Sequence, residues 1–172
     1  MPDKEIYIVR DLDNFASVTQ KIESLDLEHE CKVLNVEIKE SNLYISRKLG
    51  VPLASEVLYI ERLRIVGGIP KSIEKVYMPY DKVKGIENEN LESNSLYLLL
   101  DKLFGYVIQE REEEILIVES SEEERKLLRT DDEEVLLIKG YTNMGGEVPH
   151  EYFEIVSITD FYRFRSTAYH GK

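Results

Sequence analysis

The chain has 172 residues, of which 42% are hydrophobic and 33% are charged, so it can build one domain with a core of its own. Its formal net charge of −12 at pH 7 repels phosphate backbones, and we therefore expect no unaided binding to nucleic acid. No apolar run approaches the roughly 20 residues that a membrane helix needs, and the N-terminus lacks the basic and apolar blocks of a secretory signal.

One cysteine and three histidines restrict the chemistry further. The single cysteine, Cys31, excludes an internal disulfide and suits a reducing cytoplasm, where we expect the protein to act. The scattered histidines give no metal-ligand spacing, and the sequence contains no glycine-rich phosphate loop, serine elbow or zinc motif. We therefore predict no metal, no cofactor, no membrane association and no catalytic residue.

The first half of the chain predicts two helices and three strands. Apolar residues at spacings of three and four indicate an amphipathic helix that begins at Asp13 as its N-cap, and a second helix ends at Gly50. Gly67 and Gly68 predict the turn of a hairpin between the last two strands. The expected elements are an arm or linker over residues 1–10, a helix over 13–25, a strand over 31–38, a helix over 41–49, and strands over 56–66 and 72–78.

The second half of the chain also predicts alternating helices and strands. Residues 93–95 are expected to open a helix that ends at Gly105, a capping-box pattern over 121–124 opens another, and the glycines at 145–146 predict a second hairpin turn. Strands are expected over residues 106–119, 134–144 and 147–157, and a short turn of helix over 159–164. About six strands with helices between adjacent hairpins predict an α+β domain with a mainly antiparallel sheet.

Two arginines one residue apart, Arg62 and Arg64, are the most informative local feature. Alternate side chains of a strand share a face, so both point the same way with Cα atoms about 6.6 Å apart. Two guanidiniums among apolar neighbours need an anion, which can be a carboxylate of this chain or a bound ligand. The spacing is equally compatible with two ordinary surface arginines.

The start of the helix near residue 95 offers a second anion-binding feature. The free amides and the dipole of a helix N-terminus favour a negative charge, and the hydroxyls of Ser93, Ser95 and Tyr97 lie there. The simpler interpretations are that both serines only cap the helix and that Tyr97 belongs to the core. The corresponding simpler interpretation of Glu74 and Glu151 is that they are solvated strand carboxylates, and that of the acidic run over residues 110–114 is an exposed strand face.

The length of the first hairpin loop decides which residue faces Arg62. A two-residue loop places Ile73 opposite Arg62, whereas a three-residue loop that includes Ile69 places Glu74 there. We predict the three-residue loop and the pair Arg62–Glu74, because Pro70 disfavours tight ladder pairing beside the turn.

A series of short motifs runs along the chain in a fixed order. They are the helix start at Asn14-Phe15, Arg62-Leu63-Arg64, Gly68-Ile69-Pro70, Glu74, Met78-Pro79, Ser95-Leu96-Tyr97, Phe104-Gly105, the stretch from Glu134 to Ile138, and Glu151. In order and spacing this series resembles the UTRA domain, the effector-binding domain of HutC-subfamily GntR transcription regulators. The resemblance covers roughly residues 12–166 and identifies residues 11–172 as a UTRA-like ligand-binding domain.

The resemblance implies a chorismate-lyase-like fold, in which helices pack on an antiparallel sheet with a pocket between them, and it implies homodimers. In relatives a small metabolite, often a phosphorylated sugar or a carboxylate, occupies the pocket and repositions DNA-binding heads. The predicted site has eight members, of which the resemblance implies seven. By the resemblance, Arg62, Arg64, Ser95 and Tyr97 would hold the anionic group, Phe15 would close over it, and Glu74 and Glu151 would bind ligand hydroxyls or amines. Ser93 is the eighth predicted ligand-binding residue, from its place at the helix start and not from the family motif.

This sequence departs from the family pattern in three places. Relatives begin with a winged helix-turn-helix domain and a linker, and that DNA-binding domain is absent from this chain. The tyrosine that relatives often carry six residues after the position of Glu151 is Ser157 here, and the basic turn that follows reads Ile158-Thr159-Asp160. The identity of the effector, the operator and the direction of regulation therefore stay open.

Three functions remain to be compared. The leading hypothesis is an effector-sensing and dimerisation domain of a bacterial GntR/HutC-type regulator that binds an anionic metabolite. The alternative is a chorismate-lyase-like enzyme acting on a small dicarboxylate, which release of 4-hydroxybenzoate from chorismate would reveal. The third is a dimerisation module with a degenerate pocket, although the retained arginines, Ser95 and Tyr97 count against it.

Overall fold

A computed structural model describes residues 5–147 and 149–171, which form eight strands and five α-helices. The strands are β1 (Ile8–Asp11), β2 (His29–Glu40), β3 (Glu56–Val66), β4 (Ile69–Pro79), β5 (Glu110–Glu119), β6 (Glu134–Asn143), β7 (Glu151–Ser157) and β8 (Tyr162–Arg165). The helices are α1 (Val18–Ser24), α2 (Leu43–Leu49), α3 (Tyr80–Val83), α4 (Leu96–Phe104) and α5 (Glu122–Leu128), with a 3₁₀ turn at Ile86–Asn88.

Six strands form one antiparallel sheet in the order β2-β3-β4-β7-β6-β5, as the α+β prediction requires. The main core lies on one face, where α1, α3 and α4 cover residues such as Ile60, Met78 and Phe153. On the other face, α5 packs on a cluster around Ile73, and α2 packs on a cluster around Val57. Helices therefore cover both faces of the sheet, and the candidate functional site lies on the face that carries the main core. No helix of the described residues is long and apolar enough to span a membrane.

The first hairpin confirms the predicted register by a different route. The loop has two residues, since Val66 pairs with Ile69, and both loop glycines have positive φ angles of 60° and 77°. A bulge at Lys71 then shifts the ladder by one residue, so that Arg62 pairs with Glu74. The predicted three-residue loop was wrong, but the pair that it was meant to produce is present.

The last predicted helix is a strand instead. Residues 162–165 form β8, which pairs in parallel with β1 from Ile8↔Tyr162 to Asp11↔Arg165. The sequence Tyr-Arg-Phe-Arg alternates aromatic and basic residues, which is the period of a strand and not of a helix. The second half of the predicted arm is thereby part of the domain, because Ile8 is fully buried in the main core, while residues 1–4 lie outside the described residues.

The first helix begins later than predicted. Its N-cap is Ser17, whose hydroxyl accepts a hydrogen bond from the Gln20 amide, and not Asp13. The Asp13 carboxylate instead accepts a hydrogen bond of 2.6 Å from the Thr167 amide, near the other end of the chain. Residues 12–17 are therefore irregular, and this segment carries Phe15 over the site.

The other predicted elements are confirmed with shifted ends. Helices α2 and α4 end at Gly50 and Gly105 in the left-handed conformation, and the capping box of α5 joins Ser121 and Glu124 reciprocally. Strand β2 is longer than predicted, whereas β5 and β7 begin four residues later than predicted. The predicted β7 start includes Val148, which lies outside the described residues.

Candidate anion-binding site

A cavity of about 50 Å³ lies between the sheet, the start of α4 and the segment before α1. Strands β1, β3, β4, β5 and β7 supply its floor and sides. Seven of the eight predicted site residues line it: Phe15, Arg62, Arg64, Glu74, Ser95, Tyr97 and Glu151. The sequence thus predicted a set of residues, drawn from five separate segments, that the fold does bring together.

The two arginines share one carboxylate. The Arg64 Nε donates to Glu74 Oε1 over 2.7 Å, and the Arg62 Nη2 donates to Glu74 Oε2 over 3.1 Å. All three residues are buried, so the interpretation of Arg62 and Arg64 as surface arginines is wrong, as is that of Glu74 as a solvated carboxylate. Since one carboxylate faces two guanidiniums, this group keeps one net positive charge.

The pKa of Glu74 shows how strongly the arginines act on it. Burial alone would favour the protonated acid, but the charges of Arg64 and then Arg62 outweigh that effect and lower its pKa to about 2. Two further donors of the pair bond to the chain: Arg62 Nη1 donates to the Leu91 carbonyl and Arg64 Nη1 to the Thr19 hydroxyl, both over 3.3 Å, whereas the buried Arg62 Nε has no partner among the described residues. These bonds hold the two guanidiniums in fixed positions against the cavity.

A second chain of contacts crosses the cavity from β5 to β7. Arg111 Nη1 donates to the Tyr97 hydroxyl over 2.7 Å, and that hydroxyl donates to Glu151 Oε1 over 2.9 Å. Glu151 is fully buried, and its Oε2 has no hydrogen-bond partner within the described residues. Burial raises the pKa of the Glu151 carboxyl, although Arg111 and Tyr97 oppose the shift. Glu151 is therefore not a solvated carboxylate, and it offers a free acceptor to the cavity.

The two serines of the predicted site lie in different environments. Ser95 is buried at the N-cap position of α4 and lines the cavity, and its hydroxyl makes no capping hydrogen bond in the described structure. Ser93 is exposed and lies outside the cavity, where its hydroxyl accepts from the Asn90 side chain over 3.1 Å and its amide donates to the same side chain. The prediction that Ser93 holds the anionic group is therefore not supported by its position.

Phe15 covers the cavity from the solvent side. Its ring meets the Tyr97 ring edge to face, with centroids 5.5 Å apart and planes at 89°. The side chain stays 44% exposed, because the irregular segment before α1 holds it at the surface. Phe15 is thus the part of the cavity wall that can move with the least loss of packing.

Sequence reasoning missed two arginines of the site, Arg10 and Arg111. Arg10 fell in the predicted arm and Arg111 in the acidic run predicted to be exposed, but both line the cavity and both contact Glu113. The available signal was Arg111 itself, the lone basic residue of that run, two residues from Glu113 and hence on its face of the strand.

Ser157, the position where relatives often carry tyrosine, is buried away from the cavity lining. Its hydroxyl donates to the Lys71 carbonyl over 3.0 Å, and the Ile158 amide donates to the same oxygen. In this chain the residue thus supports the bulge that sets the register of Glu74.

Comparison with protein families matches residues 24–163 to the UTRA domain. The chain belongs to the UTRA domain family. UTRA domains are the effector-binding domains of GntR-family transcription regulators, and this UTRA domain has the corresponding fold and a cavity lined by the residues of its motifs.

Individual relatives agree with this assignment. Over 72 residues, this UTRA domain is 33% identical to the HTH-type transcriptional regulator GmuR of Bacillus subtilis. This alignment covers 42% of this chain and 30% of that protein. The match to this relative therefore spans less than half of this chain and less than a third of that protein.

Solved structures show the same fold at low sequence identity. PhnF from Mycobacterium smegmatis superimposes with a TM-score of 0.86 at 19% identity, over 95% of this chain and 72% of that one. The isolated effector domain of the same protein superimposes with a TM-score of 0.85 at 18% identity, over 95% of this UTRA domain and all of that chain. A GntR-family regulator from Bacillus cereus gives 0.73 at 21% identity, over 83% and 99% of the two chains.

Proposed function

We propose that this UTRA domain is the effector-sensing domain of a cytoplasmic GntR/HutC-type regulator, and that its effector is a small anionic metabolite such as a phosphorylated sugar or a carboxylate. The site is assigned to binding and not to catalysis, since the relative with 33% identity is a transcription regulator. DNA binding is assigned to a winged helix-turn-helix domain outside this chain.

The charge of the cavity is the observation that carries this proposal. Four guanidiniums, those of Arg10, Arg62, Arg64 and Arg111, line it, and they face the carboxylates of Glu74, Glu113 and Glu151. Even with all three carboxylates ionised, one positive charge remains, although the whole chain carries −12. Because the site is buried, this charge acts through a low dielectric and favours an anion strongly.

The size of the cavity indicates which part of the effector it holds. About 50 Å³ has room for one small anionic group, whereas pockets that enclose whole metabolites have volumes of roughly 300–1,000 Å³. The anionic group would enter beside Arg62, Arg64 and Ser95, and the rest of the molecule would displace Phe15. Glu151 Oε2 would then accept a hydrogen bond from an effector hydroxyl or amine.

Regulation follows from this displacement. Phe15 lies on the segment that joins β1 to α1, so effector binding would change the position of that segment and of β1 before it. In a homodimer, which we also propose, the effector would favour one arrangement of the chains and hence one placement of the DNA-binding domains.

Ser95→Ala tests the site with little risk to the fold, because the Ser95 hydroxyl makes no capping bond in the described structure. Titration calorimetry against a panel of sugar phosphates and small carboxylic acids should yield at least one ligand. A hydrogen bond to a charged group is worth roughly tenfold or more in affinity, so the variant should bind that ligand at least about tenfold more weakly.

Ser93→Ala is the matched control, since it also removes a serine hydroxyl, but one that lies two residues away and outside the cavity. It should bind the ligand as the wild type does. Absence of binding across the panel, or equal affinity of the Ser95→Ala variant and the wild type, would contradict the proposal.

A further inference from the structure

Arg10, Arg111 and Glu113 form a second arginine pair bridged by one carboxylate. Arg10 Nη2 donates to Glu113 Oε2 over 2.8 Å and to Oε1 over 3.1 Å, and Arg111 Nε donates to Oε2 over 3.2 Å. This cluster, here called the outer pair, has the composition of the Arg62–Glu74–Arg64 group, and its own three side chains carry one net positive charge, before Glu151 is counted, which reaches Arg111 through the Tyr97 hydroxyl.

The outer pair has donors that the protein does not use. Arg10 is 8% exposed, and its Nη1 is buried without a hydrogen-bond partner among residues 5–147 and 149–171. An unpaired buried guanidinium nitrogen loses its hydration without compensation, so a bound acceptor at that point would be favourable.

Aromatic rings hold the outer pair in place before any ligand binds. The Arg111 Cζ lies 3.8 Å from the Phe153 ring centroid and 5.3 Å from that of Phe15, and the Arg10 Cζ lies 5.4 Å from that of Tyr162. A rigid guanidinium loses little conformational entropy on binding, which suits recognition of a planar or tetrahedral anion.

The outer pair lies where two cavities meet. Arg10 and Arg111 line the inner cavity of about 50 Å³ and also an outer cavity of about 430 Å³, and Phe15 lies in the walls of both. A molecule whose anionic group is held by Arg62 and Arg64 would therefore pass the outer pair if it extends into the outer cavity.

We propose that Arg10 and Arg111 bind a second anionic group of the effector, so that the effector is a compact molecule with two separate anionic groups, such as a phosphorylated sugar acid. This proposal rests on the proposed function and narrows its ligand class. A ligand whose single anionic group lies between Arg62 and Arg64 would leave the Arg10 Nη1 without a partner.

Two matched pairs of compounds test the proposal by titration calorimetry. Glycerol 3-phosphate and 3-phosphoglycerate differ by one terminal carboxylate in place of a hydroxymethyl group, as do glucitol 6-phosphate and 6-phosphogluconate. In the pair that binds, the carboxylated member should bind at least about tenfold more tightly, because it gains charge-assisted hydrogen bonds at the outer pair.

Arg10→Gln should reduce this preference to about twofold or less while the affinity for the uncarboxylated member changes little. Arg47→Gln is the control: Arg47 is exposed on α2, on the opposite face of the sheet, and its loss should leave both affinities unchanged. Glu113→Gln removes the bridging carboxylate and should change the preference in the opposite direction, which keeps the test decisive if Arg10→Gln fails to fold.

Equal affinities within both pairs for the wild type would overturn the second anionic subsite and leave the proposed function standing. The same holds if Arg10→Gln and Glu113→Gln both retain the wild-type preference. If none of the four compounds binds at millimolar concentration, both the subsite and the proposed anion site are contradicted.

Discussion

Arg62, Arg64 and Glu74 show how two buried cations can be tolerated beside a cavity. A buried ion pair loses hydration that its Coulomb attraction barely restores, so such a group contributes little net stability, yet removal of one partner is costly. Glu74 neutralises half of the charge of the arginines and fixes their geometry, and the other half is the charge that we propose an anionic ligand compensates. The same three side chains therefore serve both the fold and the site.

The depressed pKa of Glu74, about 2 against an ordinary 4.5, predicts an acid-dependent loss of stability. Because the folded state binds this proton more weakly than the unfolded state, the stabilisation is complete above about pH 4.5 and is lost as the pH falls towards 2. The difference of 2.5 units corresponds to about 3 kcal/mol. Urea unfolding at pH 7, 4.5, 3 and 2 should show this loss in the wild type.

Glu74→Gln should remove that part of the pH dependence and should be about 3–5 kcal/mol less stable at pH 7, since two buried guanidiniums lose their carboxylate. Glu112→Gln, an exposed carboxylate of β5, is the control and should follow the wild-type curve. Parallel curves for Glu74→Gln and the wild type at every pH would show that Glu74 is not ionised between the arginines.

At the residue scale the sequence predicted the first arginine pair but not the second. Strand periodicity places Arg62 and Arg64 on one face without any knowledge of the fold. Arg10 and Glu113 are 103 residues apart, and they meet only because β1 pairs with β8 at the far end of the chain. Neither a spacing nor a local motif records such a contact.

At the element scale, β5 positions Arg111 and Glu113 through a close approach to Gly140 of β6. A Cβ at Gly140 would lie 1.9 Å from the Glu112 carbonyl oxygen, so only glycine lets the two strands pair as they do. The edge of the sheet next to the site depends on this contact.

Gly140→Ala should therefore displace β5, lower the free energy of unfolding by more than about 2 kcal/mol and weaken anion binding. Thermal unfolding together with calorimetry would measure both effects. Gly171→Ala, where nothing lies within 4 Å of the added Cβ, should change neither quantity. Wild-type stability and binding in Gly140→Ala would contradict the role given to this contact.

The bulge at Lys71 explains why element boundaries were easier to predict than register. Residue types fix where β3 and β4 lie and where the glycine turn falls, but the pair Arg62–Glu74 was expected from a three-residue loop, and the loop has two residues. The bulge that actually produces this pair is supported by Ser157, 86 residues away, whose hydroxyl donates to the Lys71 carbonyl. A tertiary hydrogen bond of this kind has no local sequence signal.

At the scale of the whole molecule, the domain combines a net charge of −12 with a buried cavity of opposite sign. The acidic surface repels competing polyanions such as nucleic acid, whereas the arginines are buried in a cavity whose wall includes the exposed side chain of Phe15. Under the proposed function this arrangement would select small anions, and their binding would regulate transcription.

The most direct test of the anion site is a titration of the domain with inorganic phosphate, followed by NMR of the arginine Nε–H groups. The signals of Arg62 and Arg64 should shift and saturate at millimolar phosphate, while that of the exposed Arg47 should stay in place. Signals of Arg62 and Arg64 that shift no more than that of Arg47 would contradict the proposed site.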